Sequence, residues 1–291
     1  MDNVVENLDD LATKRKIIDC FLFFNEVELL KYRLSILDDC VDYFVIVEST
    51  TTFTGCPKDL YYNKNKKQFQ KYNKKIIHII VDDMPYIQPS IDFSNNEQWK
   101  NEYYQRDAIS RAFQILEEKE GEHKLVDEDY IMISDVDEIP DPDTLRQIKE
   151  KNMVIKAVRL QQGYYYYNLN TKFISDWYYA VMLSYSHFKS LKISPESCRH
   201  APLFSVLENG GWHLSYFGDV SSIQKKLNSF SHQQYNTELY NTKEHIEECI
   251  RNSSDIFVRG KNHEIEILPI SENPYLPTKY ETFLSRFCIE N

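Results

Sequence analysis

Two carboxylates stand two residues apart in Asp135-Val136-Asp137, directly after the apolar stretch 130–134 and before Glu138-Ile139-Pro140. In extended backbone, alternate side chains leave on the same side, so Asp135 and Asp137 converge on one point; on a helix they would diverge. Two hard oxygen donors at one point suit Mn²⁺ or Mg²⁺, which keep coordination sites for water and phosphate oxygens. An ion held there stabilises charge that grows on a departing diphosphate, the charge released when the anomeric C–O bond of a nucleotide sugar breaks. A lone Asp-x-Asp is also an ordinary solvated turn, and its place at the end of a buried strand is what singles it out. His213, in Gly-Gly-Trp-His, is the candidate third metal ligand, because neutral imidazole suits such ions. His232 is its rival and His187 a more remote one.

Carboxylates so placed need a scaffold. Residues 17–24, IIDCFLFF, read as a strand buried on both faces, followed by a helix carrying Leu29, Leu30, Leu34 and Leu37. Strands are expected at 41–49, 76–81 and 127–134, and a helix over 97–120 with Gly121 as its stop. This alternation predicts an α/β fold with a mostly parallel sheet flanked by helices. Ligands then bind at the carboxyl ends of the strands, where Asn25-Glu26, Glu48-Ser49 and residues 135–138 all fall. The second half carries short β-like runs over 153–188, a strand at 210–217, helices near 220–230 and 238–251, and an irregular tail with Pro269, Pro274 and Pro277. The expected organisation is an extension over 1–16 and one catalytic domain over 17–260. Its nucleotide-binding half ends near 140, its acceptor half runs over 141–260, and a tail over 261–291 packs on it.

The 291 residues carry a formal charge of -11, which repels phosphate backbones and anionic lipid and argues against nucleic-acid and membrane partners. A bound cation can reverse that field inside one cleft. The six cysteines form no CxxC pair, so reduced thiols are expected. The opening MDNVVENLDDLATKRK has no apolar core of a signal peptide. No apolar run approaches the roughly 20 residues that span a bilayer. The chain is therefore expected to be soluble and cytoplasmic.

Residues 19–58, DCFLFFNEVELLKYRLSILDDCVDYFVIVESTTTFTGCPK, resemble the N-terminal signature of the β-1,4-mannosyl-glycoprotein 4-β-N-acetylglucosaminyltransferase family. The likeness continues in WKNEYYQRDAI, DYIMISDVDEIP and GGWHLSYFGD, while KKLNSFSHQQYN fits a microbial or viral-type member. The resemblance implies a GT-A type fold, an inverting mechanism, a UDP-sugar donor and Mn²⁺ dependence, with Asp135 and Asp137 in the family's metal and diphosphate motif. N-acetylglucosamine from UDP-GlcNAc, passed in β-linkage to a glycan hydroxyl, is the first expectation. Another UDP-hexose, or a glycan-binding module without chemistry, is the alternative. A nucleotidyltransferase is disfavoured, since FNEVELL after the first strand lacks the Gly-rich basic loop that holds a triphosphate.

On this reading Asn25, Glu26 and Glu48 contact the uracil or ribose, or else cap the next element. Arg106 reaches the diphosphate, or else pairs with Glu102 along its helix. Glu138 joins the donor site. The general base is sought among Glu138, Asp176, Glu208 and Asp219, with Asp219 and Glu208 preferred because they flank the Gly-Trp-His strand. Trp212 and Tyr165, the latter from the tyrosine run 164–167, are the candidate stacking faces for an acceptor sugar; alternation along a strand lets at most half of that run face a cleft.

Overall fold

A computed structural model describes residues 15–202, 204–260 and 263–289; the expected N-terminal extension lies almost wholly outside them. Four parallel strands form one half of the sheet: β1 (Ile17–Phe23), β2 (Tyr43–Ser49), β3 (Ile76–Val81) and β4 (Tyr130–Asp135), in the order β3-β2-β1-β4. Cover on both faces explains why β1 is buried throughout and apolar at every position but Asp19. Ile17, Phe21 and Phe23 pack on one face, against α1 (Val27–Leu37), while Ile18, Cys20 and Leu22 pack on the other. That second face is covered by α3 (Glu97–Asp107) and α4 (Ile109–Glu117), which follow the short α2 (Tyr61–Asn65). The single expected helix over 97–120 is thus two, joined at Ala108, and it ends before Gly121. The chain builds outward from β1 to β2 and β3, then crosses back to lay β4 on the other side of β1. The switch point lies between β1 and β4.

Beyond β4 the expectation of a mostly parallel sheet is corrected. β8 (Val181–Ser184) runs antiparallel to β4 and to β6 (Ala157–Tyr166). β7 (Asn168–Phe173) runs antiparallel to β6, and β10 (Ile265–Ile267) to β7. For β6, β7 and β8 the reason is that the strands follow one another too closely for a crossover helix. β6 and β7 are separated by Tyr167 alone, which takes a left-handed φ of 66°, and parallel neighbours need a connection of a dozen residues or more. The run 177–188 divides into β8 and the helix α6 (Tyr185–Leu191), capped by Ser184.

β5 (Glu138–Pro140) leads to α5 (Pro142–Glu150) and pairs antiparallel with β9 (Ser205–Ser215), which also runs parallel to β6. A glycine pair permits this crowding. A Cβ on Gly210 would lie 2.7 Å from the Leu160 Cα, and one on Gly211, at φ 129°, would lie 2.0 Å from the Ile139 carbonyl oxygen. α7 (Pro195–His200), α8 (Val220–Ser229), α9 (Lys243–Asn252) and α10 (Tyr280–Phe283) complete the helices. A third apolar cluster, rich in tyrosine, joins β6, β7, α8 and α9. No described helix is long and apolar enough to cross a membrane.

Candidate active site

A cleft of about 620 Å³ opens over the carboxyl ends of β1, β2 and β4. Asp135 ends β4 and Asp137 lies in the turn before β5, and the backbone of this turn is fixed from behind. Arg33 of α1 is fully buried. It grips Asp19 of β1 (Nε–Oδ2 2.8 Å, Nη2–Oδ1 2.6 Å), donates to the carbonyls of Asp135 and Glu138 (both 2.8 Å), and reaches Ser134 Oγ (2.7 Å). Glu138 adds a second brace: it accepts from the Asp135 amide (2.9 Å), from Trp177 Nε1 (2.6 Å) and from both terminal nitrogens of Arg199. Glu138 therefore holds the turn and does not line the cleft.

In front, the motif's carboxylates meet three more cations. Asp135 pairs with Arg106 (3.0 Å) and Arg199 (3.3 Å). Asp137 pairs with Lys226 of α8 (2.7 Å) and lies 3.7 Å from His213 Nε2, an ion-pair distance too long for a hydrogen bond. The His213 position follows from register, because His213 sits opposite Glu138 in the β9–β5 pair. Its ring stacks on Tyr164, with centroids 4.8 Å apart, and its buried Nδ1 has no partner. Burial alone would raise the Asp137 carboxyl, yet Lys226 and His213 hold it well below the usual carboxylate range. Asp135 is likewise lowered, burial and Asp137 being outweighed by Arg106 and Arg199. Burial drops Lys58 to about 8, against the pull of Glu48 and Glu26. Lys58, Arg106, Arg199, Lys226 and Arg259 face Glu26, Glu102, Asp135, Asp137 and Glu196 across the lining. Five cations against five acids make the cleft neutral in a chain of charge -11, so an anion enters it more readily than it approaches the outer surface.

Of the other sequence candidates, Glu26 lines the cleft, accepting from the amides of Phe24 and Asn25. Arg106 makes the expected pair with Glu102 one turn before it (3.0 Å), and it also bonds Asp135 at the cleft. Asn25 is not among the lining residues. Glu48 is fully buried, accepting from the Tyr62 amide (3.1 Å) at the start of α2 and meeting His78 Nε2 (3.0 Å). His232 lies in the cleft against Trp99, with ring centroids 4.4 Å apart, and pairs with neither carboxylate of the motif.

Trp212 and Tyr165 face away from the cleft. Both point into the core beneath β9 and donate to the Tyr275 carbonyl, at 3.1 Å and 2.9 Å. Alternation turns Tyr164 to the cleft in place of Tyr165. The preferred base candidates also lie outside. Asp219 is an exposed cap of α8, accepting from the Ser222 amide (2.8 Å), and Glu208 is exposed on the far end of β9. Asp176 is engaged by Gln161 and Lys172. Sequence reasoning missed Arg199 and Glu196, because α7 is too short to show a helical period; Ser194-Pro195-Glu196 was the available start signal. It also passed over Lys58, Lys226 and Trp177.

The model of glycosyltransferase family 17 matches residues 5–259. The chain therefore belongs to that family and is a glycosyltransferase. This is the family of the β-1,4-mannosyl-glycoprotein 4-β-N-acetylglucosaminyltransferases that its motifs resemble. No curated protein matches the chain. Among solved structures, that of 4-diphosphocytidyl-2C-methyl-D-erythritol synthase is similar over 68% of this chain and 90% of that one, at 13% identity and a TM-score of 0.35, too distant a likeness to carry argument.

Proposed function

We propose that this glycosyltransferase is an inverting enzyme of GT-A type that binds a UDP-sugar in the cleft and passes the sugar, first of all N-acetylglucosamine, in β-linkage to a glycan hydroxyl. The observation that carries this reading is the Asp135–Asp137 pair at the switch point of the parallel strands, braced by Arg33 behind and faced by Arg106, Arg199 and Lys226 in front. Those three cations offer charge-assisted bonds to a diphosphate. Phe24, Thr52 and Phe53 line the β1 and β2 side, where the nucleoside is placed, and Tyr164, Trp177 and Tyr179 offer ring faces to a sugar.

The donor set fits a divalent cation that shares its shell with phosphate oxygens: two hard carboxylates, and an imidazole whose buried Nδ1 is unpartnered. It does not fit an ion held by protein alone, since among the described residues no three His, Cys, Asp or Glu side chains gather to hold one. Asp135 and Asp137 are the residues we assign to Mn²⁺ or Mg²⁺, with His213 as the imidazole nearest Asp137, and the ion when bound offsets charge on the leaving diphosphate. The test is UDP release across a panel of UDP-sugars and glycans with Mn²⁺. Asp137→Asn is expected to lower kcat by at least about a hundredfold while the thermal melt stays that of a folded chain. Full turnover in that variant rejects the assignment.

A further inference from the structure

An inverting transfer requires a base for the acceptor hydroxyl, and the acids of the cleft are all engaged. Asp135 and Asp137 are held by cations. Glu26 accepts from two backbone amides, Glu102 from Arg106 and Ser231, and Glu196 from Arg106 and His200. Four histidines line the same space. His213 is packed between Tyr164 and Trp177 and faces Asp137. Burial depresses His232 to about 4 and also lowers His263, which weakens both as bases. His200 differs from these. It closes α7 with 57% of its side chain exposed, its Nε2 lies 3.0 Å from Glu196 Oε1, and its Nδ1 has no partner among the described residues.

Glu196 is only 7% exposed and is itself fixed, its carboxylate by Arg106 and its amide by Asp107 Oδ1 (3.0 Å). Arg106 continues the chain of contacts to Asp135. An exposed imidazole whose Nε2 faces a fixed, buried carboxylate is the arrangement that sets a tautomer and leaves Nδ1 as the acceptor. A surface ion pair one helical turn apart would not need the second carboxylate oxygen anchored to the diphosphate end of the cleft.

Resting on the UDP-sugar reading above, we propose that His200 is the general base of the transfer and that Glu196 is its positioning residue. The acceptor O–H proton passes to His200 Nδ1 as the acceptor oxygen bonds to the anomeric carbon. The bond from that carbon to the diphosphate oxygen breaks, its electron pair leaves with UDP, and the imidazolium later returns its proton to water. Groups facing His200 are Glu196 on its own helix, Arg106 through Glu196 from α3, and Tyr179, whose ring centroid lies 5.7 Å away; Arg199, its neighbour in sequence, is turned to Glu138 and Asp135.

The experiment compares the full chain with His200→Ala and Glu196→Gln, measuring UDP release, the Kd for UDP with Mn²⁺ by calorimetry, and rescue by added imidazole. His200→Ala is expected to lose about a hundredfold or more in kcat, to keep its Kd for UDP within about twofold, and to regain part of its kcat with imidazole. Glu196→Gln is expected to lose about tenfold without rescue. If the unsubstituted chain releases UDP and His200→Ala gives any other pattern, the base assignment falls and the donor reading stands. If the unsubstituted chain releases no UDP from any UDP-sugar, the donor reading fails and takes this assignment with it.

Discussion

The turn carrying Asp135 and Asp137 meets cations on two sides, and the two sides work differently. Behind it, Arg33 is closed off from solvent and bonds backbone carbonyls. In front, Arg106, Arg199 and Lys226 touch only carboxylate oxygens and border open cleft. The rear contact fixes where the chain runs, and no ligand can compete for it. The front contacts set the charge on the motif, and an entering anion exchanges with them.

The sharpest way to break this contrast is Arg33→Met. It strands Asp19 as a buried, unpaired carboxylate, and a loss of about 3–5 kcal/mol in denaturant unfolding is expected. Combining it with Asp19→Leu should return most of that stability, while UDP release stays depressed because the turn has lost its carbonyl clamp. Recovery of activity together with stability would show that the rear contact does not orient the motif. A front-side change should behave in the opposite way. Lys226→Ala is expected to raise the donor KM by about tenfold or more, the worth of a charge-assisted bond, with a loss of stability smaller than that of Arg33→Met, because the cleft lets water reach Asp137.

A pH-dependent effect concerns Lys58, on the β2 side of the cleft. Burial lowers its folded value to about 8 from an ordinary 10.5. Between those limits the unfolded chain binds more protons, so unfolding free energy should rise as pH climbs from about 8 to 10.5. Lys58→Met should flatten that rise in chemical denaturation run across the window.

The difference between the two sides also governed what could be read from the sequence. The four parallel strands and the position of Asp135 were legible, because strands covered on both faces write continuous apolar runs. The rear clamp was hidden: Arg33 stands in an apolar helix, and nothing local shows that its partners are Asp19 and carbonyls about a hundred residues on. Of the front cations, Arg106 on α3 was legible, while Arg199 and Lys226 come from α7 and α8, whose approach to β4 is a matter of packing. The mixed half of the sheet was misread for a related reason, since β5 spans only three residues directly after the motif and β9 begins with exposed positions, Ser205 and Val206, that carry no apolar pattern. Choosing Tyr165 over its neighbour was a parity error that only a known register resolves.

The glycine pair in β9 has one more consequence. Because Gly210 and Gly211 let this strand wedge against Leu160 and Ile139, the imidazole of residue 213 is indexed to the motif by ladder spacing, with no adjustable loop between them. Side chains alternate along the ladder, so inserting a single residue after Gly211 would turn that imidazole toward the opposite face. Inserting two would restore its facing but displace it along the strand by about 7 Å. A change of length in a loop of the cleft wall would therefore leave this imidazole where it is, while a change in the step count from Gly211 to His213 would not.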